Sequence, residues 1–305
     1  MSEPPGTRDR PSRRFTSLEA RIDAAAHRVL DRLPATGAYG ALVEFLVFGL
    51  KQAWACVFGG VMLGLIIATR LWFPEWMPVG RYDFLFLAAI VVQIGMVVLR
   101  LEKISEAKVI AIFHVVGTIM EVFKTSAGSW TYPEDSFFHI GAVPLFSGFM
   151  YASVGSYLAR ISRIFDIRYS NYPALWTTLV LAVAIYANFF THHFIVDLRY
   201  VILAAAILLY GRTWVHYRVF RFRHAMPLLV GFLLVALFIW LAENIGTISR
   251  AWLYPNQIHA WVPVSPAKLG SWYLLMIISF VLVTFVHRPR TTEESDRQDN
   301  KKARI

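Results

Sequence analysis

Long apolar segments that contain no Asp, Glu, Lys or Arg constrain the fold of this chain most strongly. The clearest segments are 52–69, 136–159, 169–196, 224–242 and 269–287, and the segment 84–99 is adequate. About 20 consecutive apolar residues cross the hydrocarbon layer of a membrane as a helix. Only 16% of the residues are charged, whereas soluble domains carry about 25%. These features exclude an ordinary soluble enzyme and predict a membrane protein.

Two further apolar segments, 110–120 and 200–211, are too short to cross a membrane alone. They span only if flanking ionisable residues, such as Glu121 and Arg212, lie inside the bundle or at the interface. With both included, we predict an all-α, polytopic membrane helix bundle of about eight transmembrane helices. A bundle of six spans, without these two segments, agrees with the charge distribution nearly as well.

The basic residues predict the orientation of the chain, because cytoplasmic loops retain Lys and Arg. With eight spans and both termini inside, 23 basic residues lie on the inner side and six on the outer side. Topology therefore accounts for most of the net charge of +10, and we expect no nucleic-acid partner. The lipid bilayer is the expected partner.

The ends of the chain differ from the membrane domain at 38–288. We expect a cytoplasmic region at 1–37, with a basic arm up to residue 14 and then an amphipathic helix. Thr16 and Glu19 form the capping pattern that opens this helix. One face of the helix carries Leu18, Ile22, Ala25, Val29 and Leu33. Residues 289–305 are polar, and we expect a disordered cytoplasmic tail.

A residue pattern recurs after 122 positions. Glu121 is followed nine residues later by W-T-Y-P at 130–133, and Glu243 is followed nine residues later by W-L-Y-P at 252–255. With 10 Trp, 13 Tyr and 14 Pro in the chain, chance is a poor explanation. The offset predicts two four-helix repeats, at about 50–160 and 172–288. Because four spans is an even number, the copies share one orientation about an axis along the membrane normal.

This topology brings unlike side chains together in the outer leaflet and predicts a pocket there. A half-desolvated carboxyl at a helix end can act as a proton donor. The candidate catalytic residues are Glu121, Glu243, His139 and Asp197. The candidate substrate-binding residues are Trp130, Tyr132, Trp252, Tyr254, His192, His193, Asn244 and His259.

A structural explanation competes with the functional one for some of these residues. Trp and Tyr beside a Pro at a helix end are typical of interfacial anchors and turns. An ionisable residue at an intramembrane helix end is costly to keep, which favours a function for the two glutamates. His114, seven residues before Glu121, can extend a proton path inward or make a buried structural hydrogen bond. The histidine spacing matches no recognised metal site, so we assign no metal ligand, and the cofactor is left open.

Several strings resemble a known family, namely FKTSAGSWTYPE, VPLFSGFMYASVGSY, ANFFTHHFIVDLRY, ENIGTISRAWLYPNQ and KLGSWYLLMIISFVLV. They are similar to the uncharacterised, YoaT-like bacterial integral membrane proteins of domain-of-unknown-function family 817. The resemblance covers about residues 40–288. It implies a multi-pass protein of the bacterial inner (plasma) membrane.

A more distant likeness is to membrane-embedded carotenoid hydratases and lycopene cyclases. It maps onto two sets of four residues, which are Glu121, Gly128, Trp130 and Tyr132, and Glu243, Gly246, Trp252 and Tyr254. Those enzymes add protons to the ends of polyenes through carboxylates, so the likeness implies acid catalysis. Arg250 stands where the second copy would carry a glycine, and no double-acid cyclase motif is present.

Two functions fit this sequence. The first is an enzyme that uses acid catalysis on a lipophilic, isoprenoid-like molecule at the outer leaflet, with Glu121 and Glu243 as proton donor and acceptor. Tryptophan faces would stabilise the carbocation. The second is a proton-coupled transporter or membrane sensor of a small solute, in which Glu121, His114 and Asp197 carry protons. The sequence names neither the substrate nor the oligomeric state.

Overall fold

A computed structural model describes residues 15–30 and 36–292. Within them the chain forms ten α-helices, which are α1 Ser17–Leu30, α2 Gly37–Ala55, α3 Val57–Trp72, α4 Arg81–Val98, α5 Ile104–Ser126, α6 Phe146–Ile164, α7 Leu175–Thr191, α8 Arg199–Tyr210, α9 Leu228–Ile248 and α10 Lys268–Val286. The basic arm, Leu33 and the tail beyond residue 292 lie outside the described residues.

Four helices, α4, α5, α9 and α10, are long and apolar enough to cross a membrane. Helices α2 and α3 meet that condition as a pair, but the chain bends by 68° between them. Helices α7 and α8 are apolar but shorter. The protein is therefore mostly helical, with four or five candidate membrane spans among the described residues.

Helix α5 contains the weak segment 110–120 and reaches membrane-spanning length with three of its ionisable residues enclosed. Glu106, Glu121 and Lys124 are all buried. Glu106 Oε1 accepts a hydrogen bond of 2.7 Å from Nε of Arg163 on α6. Burial of a charged side chain is tolerated where a partner satisfies it. The expectation that Glu121 lies inside the bundle is confirmed.

Five short strands accompany the helices. Strands β1 His139–Ile140 and β2 Val143–Pro144 form one antiparallel pair, and β3 Arg168–Ser170, β4 Trp214–Arg218 and β5 Arg223–Pro227 form an antiparallel sheet in the order β3-β4-β5. The prediction of an all-α chain missed them. Tyr169 pairs with Val215, so this pairing depends on contacts distant in sequence and leaves no local periodicity.

The helices run between two ends of the molecule, which we name by their contents. The bridge end contains an isolated antiparallel β-bridge between Thr131 and Leu253, and the sheet end contains β3, β4 and β5. Helices α5 and α9 end at the bridge end, whereas α6 and α10 begin there. The chain after α10 returns to the sheet, where Tyr169 N donates to Arg290 O at 2.8 Å.

Polar side chains at the start of α4 hold the loops of the bridge end. Asp83 accepts hydrogen bonds from Ser136 Oγ at 2.8 Å, Phe137 N at 3.0 Å and Phe138 N at 2.9 Å. Arg81 donates to Ser249 O at 2.8 Å and forms an ion pair with Glu134. The loops after α5 and α9 are thus fixed to a common helix.

The capping pattern at the start of α1 is confirmed. Thr16 N donates to Glu19 Oε2 at 2.8 Å, and Glu19 N donates to Thr16 Oγ1 at 3.4 Å. Glu19 also accepts from Trp54 Nε1 at 2.9 Å and pairs with Arg163. The helix therefore contacts the sheet end of the bundle, and its position on a membrane surface stays a prediction.

Candidate functional site

Helices α5 and α9 end with the same hydrogen-bond pattern 122 residues apart. Gly128 N donates to Thr125 O and Ser129 N to Lys124 O, and the same bonds run from Arg250 N to Thr247 O and from Ala251 N to Gly246 O. Gly128 has φ of 72° and Arg250 has φ of 54°. This left-handed residue closes a helix and favours glycine, so Arg250 keeps the conformation of the glycine that it replaces.

The first of two carboxyl centres, the Glu121 centre, comprises Glu121, Trp130, Tyr132 and Tyr151. Glu121 is 4% exposed. Its Oε2 accepts hydrogen bonds from Trp130 Nε1 at 2.7 Å and Tyr132 Oη at 2.5 Å, and its Oε1 accepts one from Tyr151 Oη at 2.6 Å. A carboxylate offers about four acceptor sites. Three are filled, so one stays available.

The Glu243 centre comprises Glu243, Trp252 and Tyr254 and is also buried. Oε1 of Glu243 accepts a hydrogen bond from Tyr254 Oη. The Trp252 indole lies beside the carboxyl, but Oε2 has no hydrogen-bond partner of good geometry within the described residues. A Cβ at Gly246 would overlap the Trp252 ring, so the glycine is what permits this packing. The two centres therefore differ in how many donors they present.

The two centres contact each other across the bridge end. The backbone bridge joins Thr131 and Leu253 by two hydrogen bonds of 2.9 Å, and these residues are 122 positions apart. The Trp130 ring meets the Tyr254 ring edge-on, with centroids 6.2 Å apart. Lys268 Nζ lies 4.4 Å from the centroid of the Tyr254 ring. The donors of one carboxyl thus pack against the donor of the other.

The phenols of Tyr132 and Tyr254 are held in the protonated form. Burial raises the pKa of both, and the neighbouring carboxyl, Glu121 or Glu243, raises each pKa further. A protonated phenol donates its hydrogen bond to the carboxyl oxygen. Both tyrosines therefore act as donors at neutral pH.

A cavity of about 1440 Å³ contains both carboxyl groups. The polar groups Glu121, Tyr151 and Glu243 line it near the bridge end, and mostly apolar side chains from α2, α3, α6, α9 and α10 line the remainder. Typical small-molecule sites have volumes of about 300–1,000 Å³. The cavity is large enough for a long lipophilic molecule.

Exposed apolar residues on α2 and α9 line the cavity, which indicates an opening at the side of the bundle. Phe45 on α2 and Phe238 on α9 both line it, and they are 70% and 71% exposed. Gly60 on α3 also lines the cavity, and a Cβ there would meet no atom within 4 Å. A side opening lined by apolar groups faces the region where lipid chains lie in a membrane.

Tyr151 is the residue of this site that the sequence analysis missed. It lies on α6, 30 residues after Glu121, and its ring packs against Gly117, where a Cβ would lie 2.6 Å away. The offset could have found it, because Tyr273 follows Tyr151 by 122 residues. Tyr273 Oη instead donates to Leu229 O at 3.3 Å. The Glu243 centre consequently lacks the third donor.

Several predicted residues do not line this cavity. They are His139, His192, His193, Asp197, Asn244, Tyr254 and His259. His139 and His259 are exposed. Asn244 Oδ1 instead accepts from Val264 N at 2.9 Å, which fixes the loop before α10. His114 does not line the cavity either, and its buried Nδ1 has no hydrogen-bond partner among the described residues.

Asp197 fixes the connection between α7 and α8. Its Oδ1 accepts from Asn188 Nδ2 at 3.1 Å and from Arg199 N at 2.9 Å. Partial burial acts to raise the pKa of Asp197, but these hydrogen bonds outweigh it and hold the pKa below its usual range. The carboxylate therefore stays ionised in a structural role at neutral pH.

His193 contacts a buried lysine at the end of α5. Lys124 Nζ lies 3.2 Å from Nε2 of His193. An ammonium group can only donate, so Nε2 accepts and the ring proton is on Nδ1. Burial lowers the pKa of His193, and the charges of Lys124 and His192 lower it further. Neutral His193 is thus the form that matches Lys124.

Within the described part of the chain, no three His, Cys, Asp or Glu side chains are grouped so that they could hold a metal ion. His192 and His193 stack with ring centroids 4.1 Å apart. The two rings pack together, and among the described residues no third metal-ligating side chain is grouped with them.

Comparison with known proteins places this chain in a family. A family model described as "Protein of unknown function (DUF817)" matches residues 44–280. The chain belongs to the DUF817 family. "Uncharacterized protein YoaT" of Bacillus subtilis (strain 168) is 43% identical over 243 residues, which are 80% of this chain and 91% of YoaT. No solved structure matches the chain.

Both carboxyl centres of this DUF817 protein lie inside the matched residues. The family match confirms the predicted resemblance to YoaT-like proteins. The likeness to carotenoid hydratases and lycopene cyclases has no support from these comparisons and stays a prediction. The site of this DUF817 protein has two buried carboxyl groups in the wall of one apolar cavity. Such carboxyls are placed to exchange protons with a bound molecule in an apolar environment.

Proposed function

We propose that this protein is a membrane enzyme that catalyses acid chemistry on a lipophilic, isoprenoid-like substrate. The observation that carries the proposal is that Glu121 and Glu243 line one large apolar cavity while their donors touch. A proton positioned at an apolar double bond needs a buried acid, and the product cation needs nearby negative charge or aromatic faces. This cavity supplies both.

The hydrogen bonds assign a role to each carboxyl. Oε2 of Glu243 has no partner among the described residues, so we assign the transferred proton to that atom, which reverses the order of donor and acceptor expected from the sequence. Protonation breaks the π bond, forms a C–H bond and leaves a carbocation. Glu121 retains one acceptor site, so it takes a proton from the neighbouring carbon as that C–H bond breaks and a double bond forms again. The proton passes from Glu121 back to Glu243 before the next turnover. The faces of Trp130 and Trp252 stabilise the cation between these steps.

We further propose that the chain is an internal duplication with eight spans. The offset of 122 residues carries α6 onto α10 and carries the end of α5 onto the end of α9. The matching helix ends and the bridge between Thr131 and Leu253 support a pseudo-two-fold axis at the bridge end. In this arrangement α6, α7 and α8 also cross the membrane. The bridge end then faces outward from the bacterial inner membrane, with both termini cytoplasmic.

The test of the proposed chemistry replaces each glutamate by glutamine. Glu121→Gln keeps its contacts if the amide oxygen replaces Oε2 and the amide nitrogen donates to Tyr151 Oη. At neutral pH Glu243→Gln cannot donate a proton and Glu121→Gln cannot accept one, so each should lower turnover by about 10²–10⁴-fold. The exposed Glu75→Gln is the matched control.

The measurement is mass spectrometry of lipid extracts from a deletion strain complemented with each variant, together with melting temperature and protein level. A compound that disappears with both glutamine variants, but not with Glu75→Gln, supports the enzyme. A phenotype that follows lowered protein level or lowered melting temperature makes the glutamates structural and contradicts the catalytic proposal.

A transporter is the second candidate, favoured by the extent of the cavity. The cavity reaches from the carboxyls to Arg163 at the sheet end, and both α5–α6 and α9–α10 contribute to its wall. The half of the chain that contains α5–α6 and the half that contains α9–α10 could therefore move relative to each other around the cavity. Asp197 is 38% exposed at its side chain and lies outside the cavity, which argues against the proton path that includes it. Lipid masses unchanged by either glutamine variant, with pH-driven uptake lost in both, would favour transport.

A further inference from the structure

The sheet end of the cavity is positively charged. Four basic residues line it, namely Lys103, Arg163, Arg288 and Arg290. Glu106 also lines the cavity at this end. Glu106 pairs with Arg163, and four basic side chains against this one carboxylate give the wall a net positive charge. The bridge end of the same cavity instead contains two carboxyls. The cavity therefore has basic side chains at one end, carboxyl groups at the other end and apolar walls between them.

The segment after α10 is fixed in place at this end. Tyr169 N donates to Arg290 O, and Tyr169 pairs with Thr291 in a parallel bridge beside β3. Arg290 lies 3.9 Å from Asp166, which is also 2.6 Å from Arg223 and 3.7 Å from Arg168. Three guanidinium groups thus share one carboxylate. The backbone of Arg290 is thus held at the sheet, and three guanidinium groups around one carboxylate leave a net positive charge beside the cavity.

His287 adds an unsatisfied polar atom to the same wall. Its Nε2 is buried and has no hydrogen-bond partner among the described residues. Burial lowers the pKa of His287, and the charge of Lys103 lowers it further. Buried polar atoms without partners are uncommon in folded proteins. A ligand that reaches this wall would meet His287 together with the basic side chains.

The apolar part of the cavity has the length of a lipid chain. Tyr151 and Arg163 both line it, and they are 12 residues apart on α6. At a rise of 1.5 Å per residue this separation is about 18 Å, more than half of the hydrocarbon layer of about 30 Å. Arginine binds phosphate through paired, charge-assisted hydrogen bonds.

We propose that the sheet end of the cavity binds the phosphate head group of a single-chain lipid, whose chain extends toward Glu121 and Glu243. Arg288 and Arg290 hold the phosphate, and the apolar wall holds the chain. The proposal rests on the proposed function in one respect, because it assumes that the cavity holds a lipophilic substrate. It narrows that substrate to an anionic amphiphile.

The experiment measures binding to the full-length protein in neutral detergent by native mass spectrometry. The probes are oleoyl lysophosphatidate, monooleoylglycerol, which has the same chain and glycerol without phosphate, and inorganic phosphate. The variants are the double substitution Arg288→Gln with Arg290→Gln, and Arg212→Gln as control. Arg212 is exposed near the sheet end and does not line the cavity.

Wild type and Arg212→Gln should bind lysophosphatidate about tenfold or more tightly than monooleoylglycerol, which corresponds to one charge-assisted interaction. The double variant should lose this preference while it binds monooleoylglycerol as wild type does, which also shows that it is folded. Equal binding of the two lipids to wild type, or an unchanged preference in the double variant, overturns the proposal. Displacement of lysophosphatidate by equimolar inorganic phosphate also overturns it, because the site would then recognise the free ion.

The binding test is separable from the test of catalysis. Glu121→Gln and Glu243→Gln should bind lysophosphatidate as wild type does, because the two ends of the cavity are about 18 Å apart. If the phosphate preference fails while the glutamine variants still abolish turnover, the head-group proposal alone is wrong. If the preference holds and turnover is unaffected, the catalytic proposal alone is wrong.

Discussion

The hydroxyl of Tyr151 is expected to contribute more to stability than the hydroxyl of Tyr273, its counterpart 122 residues later. Tyr151 Oη donates to Glu121 Oε1 at 2.6 Å, whereas Tyr273 Oη donates to Leu229 O at 3.3 Å. A hydrogen bond to a charged group contributes about 1.5–3 kcal/mol, and a neutral one about 0.5–1.5 kcal/mol. Tyr151→Phe should therefore lower the free energy of unfolding by about 1.5–3 kcal/mol, and Tyr273→Phe by about 1 kcal/mol or less.

The packing around Tyr151 makes this comparison clean. The ring lies against Gly117, so a phenylalanine ring keeps its place and the change removes the hydroxyl alone. Thermal unfolding of the detergent-solubilised variants measures the effect. At about 2 °C per kcal/mol for a chain of this size, the melting temperature of Tyr151→Phe should fall by about 3–6 °C.

A double-mutant cycle assigns the effect to Glu121. In the Glu121→Gln protein the hydrogen bond between the amide nitrogen and Tyr151 Oη joins two neutral groups, so Tyr151→Phe should cost about 1 kcal/mol less there than in wild type. Equal losses in the two backgrounds, or equal shifts for Tyr151→Phe and Tyr273→Phe, would refute the assignment of Tyr151 as a donor to the carboxyl.

Three further predictions concern access, pH and topology. Gly60→Trp should fill the side opening of the cavity and prevent lipid binding. Gly64 lies on the same helix with open space around it but outside the cavity wall, so Gly64→Trp should bind lipid as wild type does. Equal lipid binding by the two variants would contradict the lateral opening. The pKa of His193 is below its ordinary value of 6.5, so the unfolded chain binds more protons below that pH and the melting temperature should fall as the pH drops from about 6.5. His193→Gln should weaken this dependence, and an unchanged pH profile would show that the contact with Lys124 does not titrate. Cysteines at Ser129 and Ser265 should react with a membrane-impermeant reagent in intact cells, and labelling only after the cells are permeabilised would reverse the proposed orientation.

Much of the fold and part of the site followed from local sequence. Segment 269–287 predicted α10 within one residue at each end, because a membrane helix requires a continuous apolar stretch and shows it plainly. The donors Trp130, Tyr132 and Tyr254 were also found, since each lies nine or eleven residues after its glutamate. At that separation the end of the helix and a short turn bring the side chain back to the carboxyl. This contact depends only on local geometry, so the sequence spacing reveals it.

Contacts between distant segments could not be found in the same way. Strand β4, with the sequence W-V-H-Y-R, shows no strict alternation of polar and apolar residues. Its partners are β3 and β5, and only their approach makes it a strand. Asn244 looked like a binding residue because it follows Glu243. In the folded chain its side chain holds the loop at Val264 instead, which depends on where a segment 20 residues away lies.

The sequence by itself determined that two glutamates are enclosed at helix ends, because an apolar segment must bury or pair its ionisable residues. Tertiary structure decided that the two carboxyls share a cavity and that they are unequal. Tyr151 and Tyr273 occupy equivalent positions in the chain, but α6 directs Tyr151 to Glu121, whereas Tyr273 on α10 donates to Leu229. The direction in which a side chain points depends on how its helix packs, and no local pattern specifies that packing.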